Sequence, residues 1–496
     1  MAIPINLFEF VKYSWDSSEE LKVISAKKTF SDDLEKVLDT IWADRKRFMP
    51  SENLYYESSS KKQRFIDFRK NELIPRNWIG TIHVRSNDEE YAINLLPKIF
   101  HKENYKYTTK ETDSVFAHIL WWLSGSDKQN YSTMESSLGA LESDFLEILV
   151  YMFSNYTLEI FSATSYHYYD TVNEELETVK GQIDFNKYVQ NYAKGNRHQL
   201  PCIFDSFQYD NQFNRIVKYV CSILKDFTKN RDTKRNLEEI LFILDEVEYT
   251  TASPEDCDKV VLNPIYTEFK TILDNCKMFL SSLSIYKWKD DYSVFALLIP
   301  SEKLFENFIF STLKQHAITP ISNVGRSRPG RSHLVRQAPS LVANRYTMIN
   351  DIVVKLEDQS YILFDTKYKK IYNTNIQEAE DIDPVYNISQ ADIYQMLSYA
   401  VGSGISDIGL IYPALPFEPQ STELPVYEIV DEFTNDTTIR IHPFKVNIVH
   451  EDGLALDVSG KLENLFESTS QQLINQLNNS VKTISNYSLS TAQPLL

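Results

Sequence analysis

Two hydrophobic, β-branched runs joined by a short polar turn constrain this chain more than any other feature. Met348-Ile349-Asn350-Asp351-Ile352-Val353-Val354 and Tyr361-Ile362-Leu363-Phe364-Asp365-Thr366-Lys367-Tyr368-Lys369 each read as a strand. Glu357-Asp358-Gln359-Ser360 between them reads as the turn of a hairpin. Side chains alternate along a strand, so Asp365 and Lys367 leave on one face, and Phe364 and Thr366 on the other. A hairpin of this length brings Asp351 up to Asp365. Two carboxylates fixed at one point need a counter-charge, and a hard divalent cation, Mg²⁺ or Mn²⁺, prefers carboxylate and water oxygens. Lys367 beside such an ion is placed to hold an attacking water or a phosphate oxygen, a layout for phosphodiester hydrolysis. The plain alternative is that both aspartates are strand-edge charges and that Lys367, Lys369 and Lys370 form a solvated basic face. The D-x-K tripeptide alone does not separate the two.

The segment that follows narrows the choice. Ser389 to Ala400 is predicted as a helix, with Ser389 as its N-cap, Asp392 as capping-box partner and Gly402 as its stop. Gln395 and Tyr399, four residues apart, share one face of it. An acid beside a short strand, a strand ending D-x-K and a helix carrying D-x-Y-Q-x-x-x-Y together resemble the PD-(D/E)xK nuclease superfamily. Within it, "LFDTKYK" and "QADIYQMLSYA" are similar to the McrC family, the nuclease subunits of McrBC-type restriction systems. Further phrases in the family's order extend the resemblance from about Ile79 to Pro413. They are "IGTIHV" with "YAINLLPKIF", which ends in a P-K-I element, then "LETVKGQIDFNKYV", "LPCIFDSFQYDNQFNRIVKYV" and "KLFENF". One residue departs from the pattern: Asn350 stands where the family usually has proline before the first aspartate, which leaves the position of Asp351 open.

The resemblance implies a set of roles. Asp351, Asp365 and Glu306, the last from the helix before the catalytic strands, would hold Mg²⁺. Lys367 would activate water for attack on a DNA phosphate, and Gln395 and Tyr399 would orient the strand or the water. The implied activity is that of an endodeoxyribonuclease in anti-phage defence. It would need a separate McrB-like AAA+ GTPase that recognises double-stranded DNA. GTP would be used by that partner and not by this chain, which would stimulate its hydrolysis and dock on it through the amino-terminal portion. Two other readings stay open: an assembly and activator subunit with conditional cleavage, and a stand-alone repair nuclease of the same superfamily.

At 496 residues the chain exceeds one ordinary domain, and with 43 % hydrophobic and 13 % aromatic residues it has ample material for buried cores. The expected class is α+β multidomain. A β-rich module over 1–113 contains a hairpin of Trp78–Val84 and Tyr91–Leu96, and a helical middle region covers 114–290. An α/β PD-(D/E)xK restriction-endonuclease-like core covers 291–460, and a helix with a flexible polar tail covers 461–496. Trp121 and Trp122 are expected in a core, Asn214 and Arg215 in structural contacts, and Lys229 to Glu248 as an exposed helix. The nuclease core should open with a strand at Val294–Ile299. A helix from Ser301 then buries Leu304, Phe305, Phe308, Ile309 and Leu313, with Glu306 at the border of that stripe. Strands at Ile408–Pro413, Val426–Ile429, Thr438–Ile441 and Phe444–Val449 should extend the sheet.

A formal charge of −18 argues against a chain that coats nucleic acid with its whole surface, so any local basic excess is informative. Ile321 to Arg345 carries Arg326, Arg328, Arg331, Arg336 and Arg345 and no acid, with Gly325, Pro329 and Gly330 marking a loop. Arginine forks match phosphate oxygens, so the stretch reads as a DNA-backbone contact. Gly325 to Ser332, G-R-S-R-P-G-R-S, imitates a Walker A loop but has arginine in the lysine position and no helix-forming stretch after it, so no nucleotide site is expected. Four cysteines, at 202, 221, 257 and 276, are too widely spaced for a C-x-x-C knuckle and too few for a disulfide framework, which suggests a reducing cytoplasm. No basic-then-apolar leader and no apolar run of roughly 18 residues is present, so a soluble, unprocessed protein is expected.

Overall fold

The computed structural model describes residues 3–16, 21–22, 34–43, 63–70, 72–85, 90–103, 105–126, 135–136, 144–262, 267–288, 292–326, 333–336, 344–347, 350–369, 388–415, 424–429, 439–458 and 460–491. It is a mixed α/β structure whose contacts divide it into two units. One comprises Met1–Trp42, Ser60–Phe145 and Ile285–Leu496, and the other Ala43–Ser59 and Leu146–Ser284. Among the described residues no helix is long and apolar enough to cross a membrane.

In the first unit the two β-branched runs form an antiparallel hairpin, Ile352–Leu356 with Tyr361–Thr366, in which Ile352 opposes Phe364 and Val353 opposes Leu363. The turn closes on Asp358, whose carboxylate accepts from Ser360 N at 2.9 Å. The hairpin lies in a six-stranded sheet ordered Ile321–Gly325, Ile352–Leu356, Tyr361–Thr366, Asp407–Pro413, Ile439–Val446, Tyr427–Ile429. Tyr361–Thr366 runs parallel to Asp407–Pro413, and that strand parallel to Ile439–Val446. A parallel neighbour requires a crossover, and the helix Gln390–Ser403 supplies it. Met396 and Ala400 of the helix pack with Leu363, Ile408, Leu410 and Ile441 in one buried cluster. Every residue of Asp407–Pro413 is buried, as a central strand covered on both faces requires.

Gly409 in that strand is a packing requirement. A Cβ built there would lie 2.2 Å and 2.3 Å from carbons of the fully buried Phe364 ring, on the strand that carries Asp365. Gly409→Ala is therefore expected to destabilise the fold by about 1–3 kcal/mol, as overpacking of a close-packed core does. Thermal or urea melting measures this, and an unchanged melt would mean that Phe364 has room to move.

A second sheet in the same unit places Ile3–Phe8, Glu90–Leu96, Trp78–Arg85 and Tyr292–Pro300 side by side. The expected hairpin is present, Trp78–Arg85 against Glu90–Leu96, and Ile3–Phe8 runs parallel to the latter. The helix Thr109–Ser126 buries Val115, Ile119, Trp121 and Trp122. Trp122 Nε1 donates to Ile448 O at 2.9 Å, and Trp121 stacks on Phe466 with ring centroids 4.6 Å apart.

The second unit differs from the all-helical expectation. It holds an antiparallel sheet of Tyr168–Leu176, Leu200–Gln208 and Gln182–Ile183. The first of these strands, YYDTVNEEL, is acidic and lacks apolar alternation, which hid it. Asn214 is fully buried and donates to Tyr166 O at 3.0 Å and Tyr209 O at 2.7 Å, while Arg215 grips Asp210 through two contacts of 2.7 Å. The helix Arg231–Ile243 is only partly exposed, because Leu237 and Ile240 are buried while its charged residues and Phe242 face solvent.

Three further expectations are corrected. The supposed polar tail is helical: Glu467–Thr491 is one helix that buries Leu473, Leu477, Val481 and Ile484, a stripe at steps of three and four that Ser, Asn and Gln obscure. The two strands expected over Thr438–Ile441 and Phe444–Val449 are one, Ile439–Val446, which Pro443 does not break. The helix expected to stop at Gly402 continues to Ser403 and ends at Gly404, whose φ of 65° is the left-handed cap conformation.

Candidate active site

The hairpin and the helix Gln390–Ser403 meet at the carboxy-terminal end of Tyr361–Thr366. Asp351, just before the first hairpin strand, is 8 % exposed, and its Oδ2 accepts from both Thr366 N and Thr366 Oγ1 at 2.8 Å. Asp365 is 2 % exposed, and Lys367 Nζ lies 2.7 Å from its Oδ2. The contact is ionic and poorly angled, so Oδ2 is buried without a well-formed hydrogen bond. Lys367 Nζ donates to Gln395 Oε1 at 2.7 Å, and Gln395 Nε2 donates to Tyr399 OH at 2.9 Å. Asp365, Lys367, Gln395 and Tyr399 thus form one connected line, because a step of four residues puts Gln395 and Tyr399 on the same helix face.

Lys369 extends the seam. Its Nζ sits 2.7 Å and 3.0 Å from the two carboxylate oxygens of buried Asp392. Ser389 caps the helix as expected, accepting from Asp392 N, but the Asp392 carboxylate is turned to Lys369 in place of the anticipated capping box. Thr366 was expected on the far face with Phe364. It reaches Asp351 because the strand ends at Thr366 and the backbone turns there. Only the T between D and K hinted at this partner.

Burial, and then the charge of Asp351, push the Asp365 carboxyl up to about 7, against the pull of Lys367. Asp351 is raised by burial and then by Glu306, against its hydrogen bonds from Thr366. Burial works against the Lys367 ammonium, but Asp365 outweighs it and leaves the lysine above its ordinary range. Burial also raises Tyr399. The pocket is therefore short of positive charge, and its free lone pairs belong to hard carboxylate oxygens. Asp365 Oδ2 in particular suits a hard divalent cation.

Glu306 does not join the pair. Its Oε1 is held by Lys303 Nζ at 2.6 Å and by Arg326 Nη1. Among the described residues no group of three or more Asp, Glu, His or Cys closes on one point for a metal. Arg326 also donates to Asn307 Oδ1 at 2.7 Å and lies 4.3 Å over the Phe310 ring, so it is anchored on the helix Ser301–Gln315. Arg336 and Arg345 stand on the paired strands His333–Arg336 and Asn344–Thr347, where Val335 opposes Arg345. The arginine stretch is thus partly strand where a loop was expected. Arg328 and Arg331 lie outside the described residues.

The family model described as McrBC 5-methylcytosine restriction system component matches residues 73–413, most of the chain and all of this site. The chain belongs to that family. Among solved structures, the McrBC-family chain is similar to one in the Thermococcus gammatolerans assembly of McrB AAA+ hexamers with bound McrC. The TM-score is 0.57 at 15 % identity, covering 96 % of this chain and 99 % of that one, a likeness of fold. A chain of the Thermococcus gammatolerans McrBC complex solved by cryo-EM gives a TM-score of 0.43 at 16 % identity, covering 64 % and 88 %. No curated protein matches at a significant level.

Proposed function

We propose that this McrBC-family chain is the Mg²⁺-dependent endonuclease subunit of its restriction system. In this reading it has a PD-(D/E)xK core within 291–460 and cuts double-stranded DNA when assembled with a McrB-like AAA+ GTPase. The observation that carries the reading is the connected line from buried Asp365 through Lys367 to Gln395 and Tyr399, with buried Asp351 held by Thr366 of the same strand. The fold likeness to a chain in an assembly of AAA+ hexamers with bound McrC supports the partner, which would use the GTP.

Asp351 and Asp365 would hold the divalent cation, which when bound supplies charge neutralisation at the phosphate and a more acidic water. An ammonium has three donors. Lys367 gives one to Gln395 and points another at Asp365, which leaves a third for a phosphate oxygen or the attacking water. Against the cost of burial, Asp365 beside it raises the lysine above its ordinary range, which favours the charged form that orients and stabilises. Tyr399 fixes the Gln395 amide and so the lysine. Glu306, clamped by Lys303 and Arg326, acts from outside the pair as a water-positioning charge. Arg326, Arg328, Arg331, Arg336 and Arg345 belong to the stretch assigned to the DNA backbone, with Arg326 serving mainly to hold Glu306.

The test is cleavage of DNA carrying 5-methylcytosine by the chain with its GTPase, GTP and Mg²⁺. Cutting is expected only with all components, and chelation should stop it. The fold likeness to a chain in an assembly of AAA+ hexamers also fits one second reading, an activator subunit with conditional cleavage. Stimulated GTP hydrolysis without cutting under Mg²⁺ or Mn²⁺ would select that reading and remove the first.

A further inference from the structure

Glu9, Lys98 and Tyr368 come from three distant parts of the chain and meet within one unit, next to the catalytic lysine. Lys367 N makes the last ladder bond of its strand, to Ile411 O at 2.8 Å, so the backbone beyond it has left the sheet. The chain is held after that point by the insertion of Tyr368, which is 3 % exposed and packs on Phe305 with ring centroids 5.7 Å apart. Half-buried Lys98, from the P-K-I element, places its Nζ 4.5 Å from the Tyr368 ring centroid and 4.9 Å from that of Phe10. Glu9 is 1 % exposed, and its carboxylate accepts from Lys98 N at 3.0 Å and Ser301 Oγ at 2.5 Å. Phe10 takes a φ of 60°, a left-handed conformation that a bulky residue adopts only where its surroundings impose it. Its N–H is tied to Pro75 O at 2.8 Å, and its ring covers Lys98. Burial pushes Glu9 up to about 7 and lowers Lys98, each opposed by the charge of the other.

We propose that Lys98, with Glu9 as its counter-charge and seated between the rings of Phe10 and Tyr368, is a positioning residue for Lys367. The cation clamps the ring of the very next residue, and so sets where the lysine backbone leaves the sheet. This role rests on the nuclease reading above. A displacement of about 1 Å at a reacting group costs roughly a hundredfold in rate, so a loosened Tyr368 is visible in turnover before it is visible in binding.

The test uses the full chain with its GTPase, GTP, Mg²⁺ and DNA. Lys367→Ala is measured first: if it cuts like the parent, the nuclease reading fails and the inference falls with it. Given a dead Lys367→Ala, Lys98→Met should lower kcat by about tenfold or more with KM for DNA unchanged. Lys98→Met leaves Glu9 buried without its counter-charge, so the double variant Glu9→Gln/Lys98→Met is the deciding comparison. Its melting temperature should return towards that of the parent while kcat stays low. Recovery of parental kcat would show that Lys98 only neutralises Glu9, and would overturn the proposal. If the double variant does not fold, Tyr368→Leu decides, because it removes the ring and keeps the Glu9 and Lys98 charges. A tenfold or greater loss of kcat is again expected, and parental kcat overturns the proposal.

Discussion

Lys367→Ala is expected to cut DNA about a thousandfold more slowly than the parent in the presence of the GTPase, GTP and Mg²⁺. The size follows from two losses. One positioned donor aimed at developing charge is worth roughly a hundred- to a thousandfold. The substitution also removes the group that Gln395 holds, so the line from Asp365 to Tyr399 is broken at its centre. The chain should remain folded, because Asp365 without its partner takes up a proton, which its surroundings already favour. Single-turnover cleavage and a thermal melt, read together, check this. A folded variant that cuts at the parental rate would remove Lys367 from the mechanism.

The second large effect is on metal and pH together. Burial, and then the charge of Asp351, push the folded Asp365 carboxyl up to about 7 from an ordinary value of 3.8 in the unfolded chain. Below the unfolded value both states hold the proton and the group is neutral to stability. As pH rises from there to about 7 the unfolded chain releases the proton and the folded chain keeps it. Stability therefore falls across that window, and the full cost, roughly a few kcal/mol, is present above it. A divalent cation reverses this cost where the carboxylates are ionised and competes with protons where they are not. Mg²⁺ should then raise the melting temperature of the parent much more at pH 8 than at pH 5. Asp365→Asn should abolish both the Mg²⁺ shift and cleavage, and should make the metal-free chain more stable than the parent at pH 8. Equal Mg²⁺ shifts in parent and variant would mean that the ion binds elsewhere.

The site was legible in the sequence to the extent that its geometry is local. Strand alternation placed Asp365 and Lys367 together, the turn length brought Asp351 to them, and a step of four residues aligned Gln395 with Tyr399. For Glu306 the position was legible and the hydrogen-bond partners were not. The border of a helical stripe put it near Asp351, whose proton affinity it raises, but gave no sign that Lys303 and Arg326 engage its carboxylate. Arg326 shows the same limit. Its surroundings in sequence are those of an exposed basic loop, whereas a distant helix offers it a carboxylate, an amide and a ring.

What the sequence determined by itself were the faces: which residues of the hairpin, the helix Gln390–Ser403 and the stripe Leu304–Leu313 turn inward, since periods of two and of three to four residues are properties of the backbone alone. Only the tertiary structure decided which faces meet. Nothing in the composition places Glu9 and Lys98 against Tyr368, or Trp121 on Phe466. Those contacts join residues hundreds of positions apart, and their free energy comes from excluding water at surfaces that exist only once the elements have packed.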